Sequence, residues 1–162
     1  MRSAAGVAIL VAMVTPVAGA PPQKALTALQ RAYSEYSVGG MKHLIKADVD
    51  GDGREDWIGL ATKDDGDWAV LIAYHREDGW RAGNIDMGVA ALSPLELELL
   101  PPGRYERHPS CVGELAVNER AAFSSALPGV VATGFGGQRR AYQLGHAWGF
   151  VCLGAMSERS GT

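Results

Sequence analysis

The sequence has no excess of positive charge and no long hydrophobic run after its first twenty residues. Its 15 lysines and arginines are outnumbered by 18 aspartates and glutamates, which gives a formal net charge of −3. Proteins that bind nucleic acids or anionic membranes usually show the opposite balance. A membrane-spanning helix needs about 20 consecutive apolar residues. We therefore predict a chain that binds no nucleic acid and does not span a membrane once an N-terminal leader is removed.

The composition is otherwise that of a folded globular protein. Hydrophobic residues make up 47% of the chain and charged residues 20%, which argues against disorder. The length of 162 residues suits one domain. Glycine is abundant, with 21 residues and no regular period, and this favours many tight turns between short strands.

The first twenty residues have the pattern of a secretory signal peptide. Arg2 supplies a positive charge, residues 4–14 are apolar or small, and residues 18–20 read Ala-Gly-Ala, which fits a cleavage site. An uncleaved N-terminal anchor is the competing interpretation. We predict a signal peptide at residues 1–20, a single domain at residues 21–162, and a periplasmic or secreted location.

The chain has only two cysteines, Cys111 and Cys152. In a reducing cytosol such cysteines are usually buried thiols, whereas in an oxidising compartment an isolated pair usually forms a disulfide. The prediction of export therefore favours a Cys111–Cys152 disulfide. Neither cysteine lies in a C-x-x-C motif, so a redox-catalytic pair is not expected.

Hydrophobic periodicity predicts one helix followed by strands. Residues 21–37 carry apolar side chains at spacings of three and four, and two glycines follow them. Strands are predicted at residues 41–47, 56–62, 68–75, 80–85, 95–99, 129–133, 141–144 and 148–153. Two alternatives stay open: a helical turn from Ser93 in place of the strand at 95–99, and a short helix at 114–123. The fold class predicted is α+β, a monomer with the N-terminal helix packed on a mostly antiparallel sheet.

The segment at residues 48–56 is the most informative part of the sequence. It reads Asp-Val-Asp-Gly-Asp-Gly-Arg-Glu-Asp and places carboxylates at positions 1, 3, 5 and 9 of a glycine-containing loop. Ca²⁺ takes six to eight oxygen ligands in flexible geometry, and position 7 of such loops typically donates a backbone carbonyl. Clustered carboxylates repel one another unless a cation neutralises them. The predicted calcium ligands are Asp48, Asp50, Asp52, the carbonyl of Arg54, and Asp56.

This loop is not an EF-hand, because position 12 is Gly59 and the flanking residues have strand character. It resembles the D-x-D-G-D-G-x-x-D calcium loop of FG-GAP and VCBS-type repeats, and the resemblance covers residues 46–75. The resemblance implies a calcium loop in a β-hairpin, with Asp48, Asp50, Asp52, Arg54 and Asp56 as its ligands. Such repeats normally form propeller blades in arrays, and a single copy cannot close a propeller.

The layout of the chain also resembles small exported bacterial proteins of unassigned function, which carry one such loop before a β-rich, cysteine-containing half. Three interpretations of the loop stay open: a solvated acidic turn that binds no ion, a structural Ca²⁺ site that stabilises a hairpin, and a Ca²⁺ site used directly in ligand recognition. The second is favoured. Mg²⁺ is disfavoured because it prefers rigid octahedral shells that retain several waters.

No sequence motif identifies a catalytic residue. His43, His75, His108 and His146 lack zinc-motif spacing, and there is no G-x-S-x-G nucleophile elbow. We expect a calcium-binding, non-catalytic binding or interaction protein, whose partner would be another envelope or extracellular protein. The alternative is a small periplasmic or secreted hydrolase acting on a cell-envelope or extracellular substrate. A pocket with converging polar groups would favour the hydrolase, and an exposed apolar patch would favour the interaction protein.

Overall fold

The computed structural model describes residues 19–94, 96–144 and 149–155. Residues 1–18, which include most of the predicted signal peptide, lie outside the described residues, as do Leu95, His146 and Trp148. Within the described part, the chain forms one α-helix, two short 3₁₀ turns and ten strands. The bounds are α1 Gln23–Ala32, 3₁₀ turns Val38–Gly40 and Ala90–Leu92, β1 Lys42–Ala47, β2 Asp56–Thr62, β3 Trp68–Arg76, β4 Gly79–Gly88, β5 Glu96–Leu100, β6 Gly103–Glu106, β7 Ala122–Ser125, β8 Gly129–Gly134, β9 Gln138–Gln143 and β10 Gly149–Ala155.

The described strands form two four-stranded antiparallel sheets and one two-stranded ribbon. The first sheet has the order β1-β2-β3-β4, which follows the chain, and the second has the order β10-β9-β8-β5. The ribbon pairs β6 with β7. The structure confirms the predicted α+β class, with a helix on antiparallel sheet, and it divides the sheet in two.

The layers are helix, first sheet, second sheet and ribbon. Alternation in β3 shows this order, because Val70 and Ile72 lie in the core shared by the two sheets, whereas Leu71 packs in the core that contains Leu29 of α1. In β8, Val130 faces the other sheet and Val131 packs with Phe123 of the ribbon. Both sheets are therefore covered on both faces, which explains the nearly continuous apolar runs in their central strands.

The N-terminal helix is shorter than the sequence predicted. It buries Ala25 and Leu29 completely, but it ends at Ala32 instead of continuing to residue 37. The N–H of Ser37 donates to the carbonyl of Thr62 at the end of β2, over 2.8 Å. This bond to the sheet competes with a further helical turn, and it lets Val38 pack in the core beside Leu29.

In the described residues, neither of the two helical alternatives left open by the sequence is present. Residues 96–100 form β5, which pairs with β8. Residues 107–121 contain no helix; they form a loop, and β7 begins at Ala122. The carboxylate of Glu119 accepts from Arg107 Nε at 2.8 Å and from the N–H of Ala116 at 3.0 Å. These bonds brace the loop and take the place of helical hydrogen bonds.

The structure confirms the predicted disulfide. Cys111 and Cys152 are joined, with their Cα atoms 6.2 Å apart, and each is 4% exposed. The bond ties the loop at residues 107–121 to β10 of the second sheet. No helix in the described part of the chain is both long and apolar enough to cross a membrane.

Candidate metal centre

The acidic loop connects β1 to β2. Ala47 pairs with Asp56, so residues 48–55 form the connection of an antiparallel hairpin. Gly51 and Gly53 adopt φ angles of +79° and +83°. Only glycine adopts this left-handed conformation without strain, and it lets the chain curl tightly enough to bring alternate side chains to one side. The predicted placement of the acidic loop in a β-hairpin therefore agrees with the structure.

Three of the predicted carboxylates come together. One oxygen from each of Asp48, Asp50 and Asp56 lies within 4.8 Å of the other two. Asp48 is fixed by the loop backbone, because its Oδ1 accepts the N–H of Gly51 at 2.8 Å and its Oδ2 accepts the N–H of Gly53 at 2.9 Å. The loop is thus wound around the Asp48 carboxylate, and its backbone N–H groups fix the position of that side chain.

Asp56 is the buried member of the group, with 0% exposure. Its Oδ1 accepts the N–H of His75 in β3 at 2.8 Å, and its Oδ2 accepts the N–H of Val49 at 3.2 Å. Burial raises the pKa of Asp56 to about 6, and the charges of Asp50 and Asp52 raise it as well, while the two backbone N–H groups oppose the rise. The carboxylate therefore carries an electrostatic cost that a nearby cation would relieve.

Asp50 has an oxygen that lacks a hydrogen bond. Its Oδ2 is buried and accepts no hydrogen bond from any described residue, although its Oδ1 accepts the N–H of Asp52 at 3.2 Å. The Nη1 of Arg76 lies 2.6 Å from this Oδ2. The separation makes the contact a close ion pair, but the N–H group does not point at the oxygen. Buried oxygens without hydrogen bonds are rare in proteins, and the Arg76 guanidinium is the group that compensates the charge of this one.

Asp52 and Arg54 lie at the edge of the group. The Oδ1 of Asp52 accepts the N–H of Arg54 at 2.9 Å, and its Oδ2 lies 3.7 Å from Arg54 Nη1 and 3.8 Å from Arg76 Nη1. Asp52 is therefore paired with two arginines in this structure, and it is not part of the three-carboxylate group. The roles of Asp52 and of the Arg54 carbonyl as ligands stay predictions.

The loop motif gave no indication of Arg76. Arg76 is the last residue of β3 and lies twenty residues after Asp56, the last position of the loop motif. Its position follows from the register of β2 and β3. Trp57 pairs with Ala73, and the antiparallel pairing continued from there toward the acidic loop brings Arg76 beside that loop. A hairpin alignment of β2 with β3 would have placed Arg76 opposite the loop.

The donor set fits a hard divalent cation. At an effective dielectric constant of about 20, two unit charges within the 4.8 Å separation found here repel by roughly 3–4 kcal/mol. One guanidinium neutralises only part of the three negative charges. All three converging groups are oxygens, which are the ligands of Ca²⁺ and Mg²⁺ and not of soft transition metals. The three acidic side chains could therefore hold a metal ion.

A serine–histidine contact elsewhere does not form a catalytic site. His108 Nδ1 lies 2.8 Å from Ser110 Oγ, and the same nitrogen lies 3.2 Å from the N–H of Ser110. The two residues are separated by Pro109 only, so the turn itself brings them together. Both are exposed, and a nucleophile needs a base that is oriented by a third group in a sheltered site. We assign this pair no catalytic role.

Comparison of the chain with known protein families, with curated proteins and with solved structures finds no match. The assignment of the site therefore rests on its own geometry and chemistry.

The pKa of Asp56 leads to a pH prediction for the metal-free protein. Folding raises this pKa from its ordinary 3.8 to about 6, so between these values the folded chain binds more protons than the unfolded chain. The contribution of Asp56 to stability is thus fully present below pH 3.8 and is lost as the pH rises through 6. Urea unfolding in a chelator, from about pH 4.5 to about pH 7.5, should show wild type losing stability relative to Asp56→Asn, which does not titrate. A difference that stays constant or grows with pH would contradict this.

Proposed function

We propose that this chain is an exported, non-catalytic binding or interaction protein that holds one Ca²⁺ in the loop at residues 48–56. The observation that carries the proposal is the convergence of Asp48, Asp50 and Asp56, with a buried Asp50 oxygen that accepts no hydrogen bond. When bound, the ion would supply two positive charges that offset most of the carboxylate charge, and it would link the two ends of the loop that connects β1 to β2. The loop is then of the FG-GAP and VCBS type.

Calcium is the ion proposed because of the shape of the loop. Two glycines at positive φ and side-chain contacts to backbone N–H groups curl the loop into an irregular oxygen shell. Ca²⁺ accepts such irregular shells, whereas Mg²⁺ requires near-ideal octahedral geometry. Asp52 and the Arg54 carbonyl would complete the ligand set of Asp48, Asp50 and Asp56. Extracellular modules of this kind commonly bind Ca²⁺ with dissociation constants of about 10⁻⁴–10⁻³ M.

Export is the second part of the proposal. Disulfides form and persist in oxidising compartments, and the Cys111–Cys152 bond supports such a compartment. The pattern of residues 1–20 supplies the corresponding signal peptide. A periplasmic or secreted protein would also meet free Ca²⁺ at concentrations that a weak site requires.

The interaction class is supported by exposed apolar side chains. Val112 is 88% exposed, Val117 is 86% exposed and Leu115 is 51% exposed, all in the loop held by the disulfide. Several exposed apolar groups concentrated in one loop offer a contact surface for another protein. They support binding to an envelope or extracellular protein as the role of the domain.

Calcium should stabilise the wild-type protein and not the variant Asp50→Asn. For a dissociation constant of about 0.5 mM, about 5 mM Ca²⁺ adds about 1.4 kcal/mol, or about 3 °C in Tm. Asp50→Asn removes one ligand charge while keeping the shape of the side chain, so the calcium-dependent rise in Tm should disappear. The measurement is differential scanning calorimetry with Ca²⁺, with Mg²⁺, and with a chelator.

The matched control is Asp64→Asn, which makes the same change in the exposed acidic turn after β2. This variant should keep the calcium-dependent rise in Tm. Equal behaviour of the two variants, or an equal response to Mg²⁺ and Ca²⁺, would contradict the proposed site. Absence of any response in wild type, in protein freed of bound metal by a chelator, would do so too.

A further inference from the structure

We infer that Arg76 is a built-in competitor of the calcium ion. Without metal, its guanidinium pairs closely with Asp50 and more distantly with Asp52, and Ca²⁺ must displace it to fill the site. Arg76 therefore sets the calcium concentration at which the loop is occupied. This inference rests on the proposed function, and it adds a residue outside the loop motif.

The position of Arg76 is fixed by the sheet. It ends β3, whose preceding residue His75 donates its N–H to Asp56, so the strand is attached to the buried member of the acidic group. The guanidinium carbon of Arg76 lies 5.1 Å from the ring centre of Tyr74 in the same strand. From this position, Nη1 reaches Asp50 Oδ2 at 2.6 Å and Asp52 Oδ2 at 3.8 Å. One cation thus contacts two of the predicted ligands.

The ion pair with Asp50 differs from the surface pairs of this protein in its burial. The Asp50 side chain is 6% exposed, whereas the Asp78 and Arg81 side chains of a surface pair are 64% and 66% exposed. Salt screens a sheltered pair less than an exposed one. Asp50 Oδ2 also accepts no hydrogen bond from the described residues, so the guanidinium is the group that compensates its charge. Breaking this contact without replacing the cation would leave a buried charge.

Simultaneous occupation by Arg76 and Ca²⁺ is unfavourable. A calcium ligand oxygen lies 2.3–2.6 Å from the ion, and Arg76 Nη1 is 2.6 Å from the same Asp50 oxygen. A double and a single positive charge sharing one oxygen repel by several kcal/mol at an effective dielectric constant of about 20. The Arg76 side chain is 37% exposed and lines an open groove with Glu77 and Asp78, so it has a place to move to.

Competition of this kind lowers the apparent affinity for calcium. Binding is weakened by the fraction of molecules in which the ligands are free of the guanidinium. The Arg76–Asp50 contact therefore stabilises the metal-free protein and weakens calcium binding.

The test compares Arg76→Gln with Arg81→Gln by isothermal titration with Ca²⁺. Arg81 lines the same groove, and it pairs with Asp78 at 2.5 Å instead of with the loop. Arg76→Gln should bind Ca²⁺ about tenfold more tightly than wild type, and its Tm in a chelator should fall. Arg81→Gln should change the affinity less than about threefold, since it removes only a distant charge.

Each outcome decides between the two proposals. Calcium binding by wild type with an Arg76→Gln affinity equal to or weaker than that of Arg81→Gln overturns the inference and leaves the site intact. No calcium binding by wild type or either variant overturns the proposed function, and the inference with it.

A second measurement on wild type covers the case in which metal-free Arg76→Gln does not fold. The Arg76 Nε–H signal in NMR spectra should move toward the position of a free arginine as Ca²⁺ is added. An unchanged signal at calcium saturation overturns the inference.

Discussion

Asp56→Ala should abolish calcium binding and lower the free energy of unfolding of the metal-free protein by about 2–3 kcal/mol at neutral pH. The variant leaves the N–H groups of Val49 and His75 without their acceptor, and each buried N–H group without a partner costs about 1–3 kcal/mol. Removal of the charge offsets part of this loss, because burial makes the Asp56 carboxylate costly. Denaturant unfolding in a chelator gives the stability, and titration with Ca²⁺ gives the binding.

Asp50→Asn is the comparison that separates the two effects. It should also abolish calcium binding, but it keeps the oxygen that accepts the N–H of Asp52 and leaves both Asp56 hydrogen bonds in place. The variant loses the Arg76 ion pair but also removes a buried negative charge beside Asp56, so its metal-free stability should stay within about 1 kcal/mol of wild type. If Asp56→Ala were as stable as Asp50→Asn in a chelator, Asp56 would not hold the loop to β3 as described.

Removal of the disulfide by the double variant Cys111→Ser and Cys152→Ser should give the largest loss of stability. The bond closes a loop with a sequence separation of 41, for which chain entropy corresponds to about 4 kcal/mol. The expected fall in Tm is about 10 °C. The disulfide joins the loop at residues 107–121 to β10 of the second sheet, whereas the acidic loop at residues 48–56 connects two strands of the first.

Calcium binding should therefore survive in the folded double variant. Calorimetry of wild type with and without a reducing agent, beside the double variant, measures the loss of stability. A change below about 1 kcal/mol would show that the unfolded chain gains little freedom when the bond is removed. A calcium dissociation constant shifted more than about threefold would contradict the independence of the acidic loop from the disulfide.

Local patterns in the sequence predicted most of the strands. The nearly continuous apolar run at residues 68–75 predicts a central strand covered on both faces, and the turn residues at 64–67 and 78–79 mark its ends. The pattern did not predict that the strands divide into two sheets. That division depends on long-range pairs such as β5 with β8, which no local periodicity encodes.

In the candidate site, the loop carboxylates were predictable from the local sequence, whereas the residue contributed by β3 was not. Alternating aspartates and glycines in residues 48–56 place three carboxylates together, because the glycines allow the curl and Asp48 accepts the loop N–H groups. Arg76 comes from another strand and became evident only through strand register. The helix end at Ala32 likewise depends on the tertiary bond from Ser37 to Thr62, which the 3.6-residue period of residues 21–37 does not contain.

The central claim is that a calcium ion occupies the centre of the three carboxylates, and a crystal structure of protein grown with Ca²⁺ tests it most directly. The account predicts anomalous density for one ion, with oxygens of Asp48, Asp50 and Asp56 about 2.3–2.6 Å from it, and the Arg76 guanidinium moved away from Asp50. Density for the guanidinium still in contact with Asp50, with no ion between the carboxylates at millimolar calcium, would contradict the account.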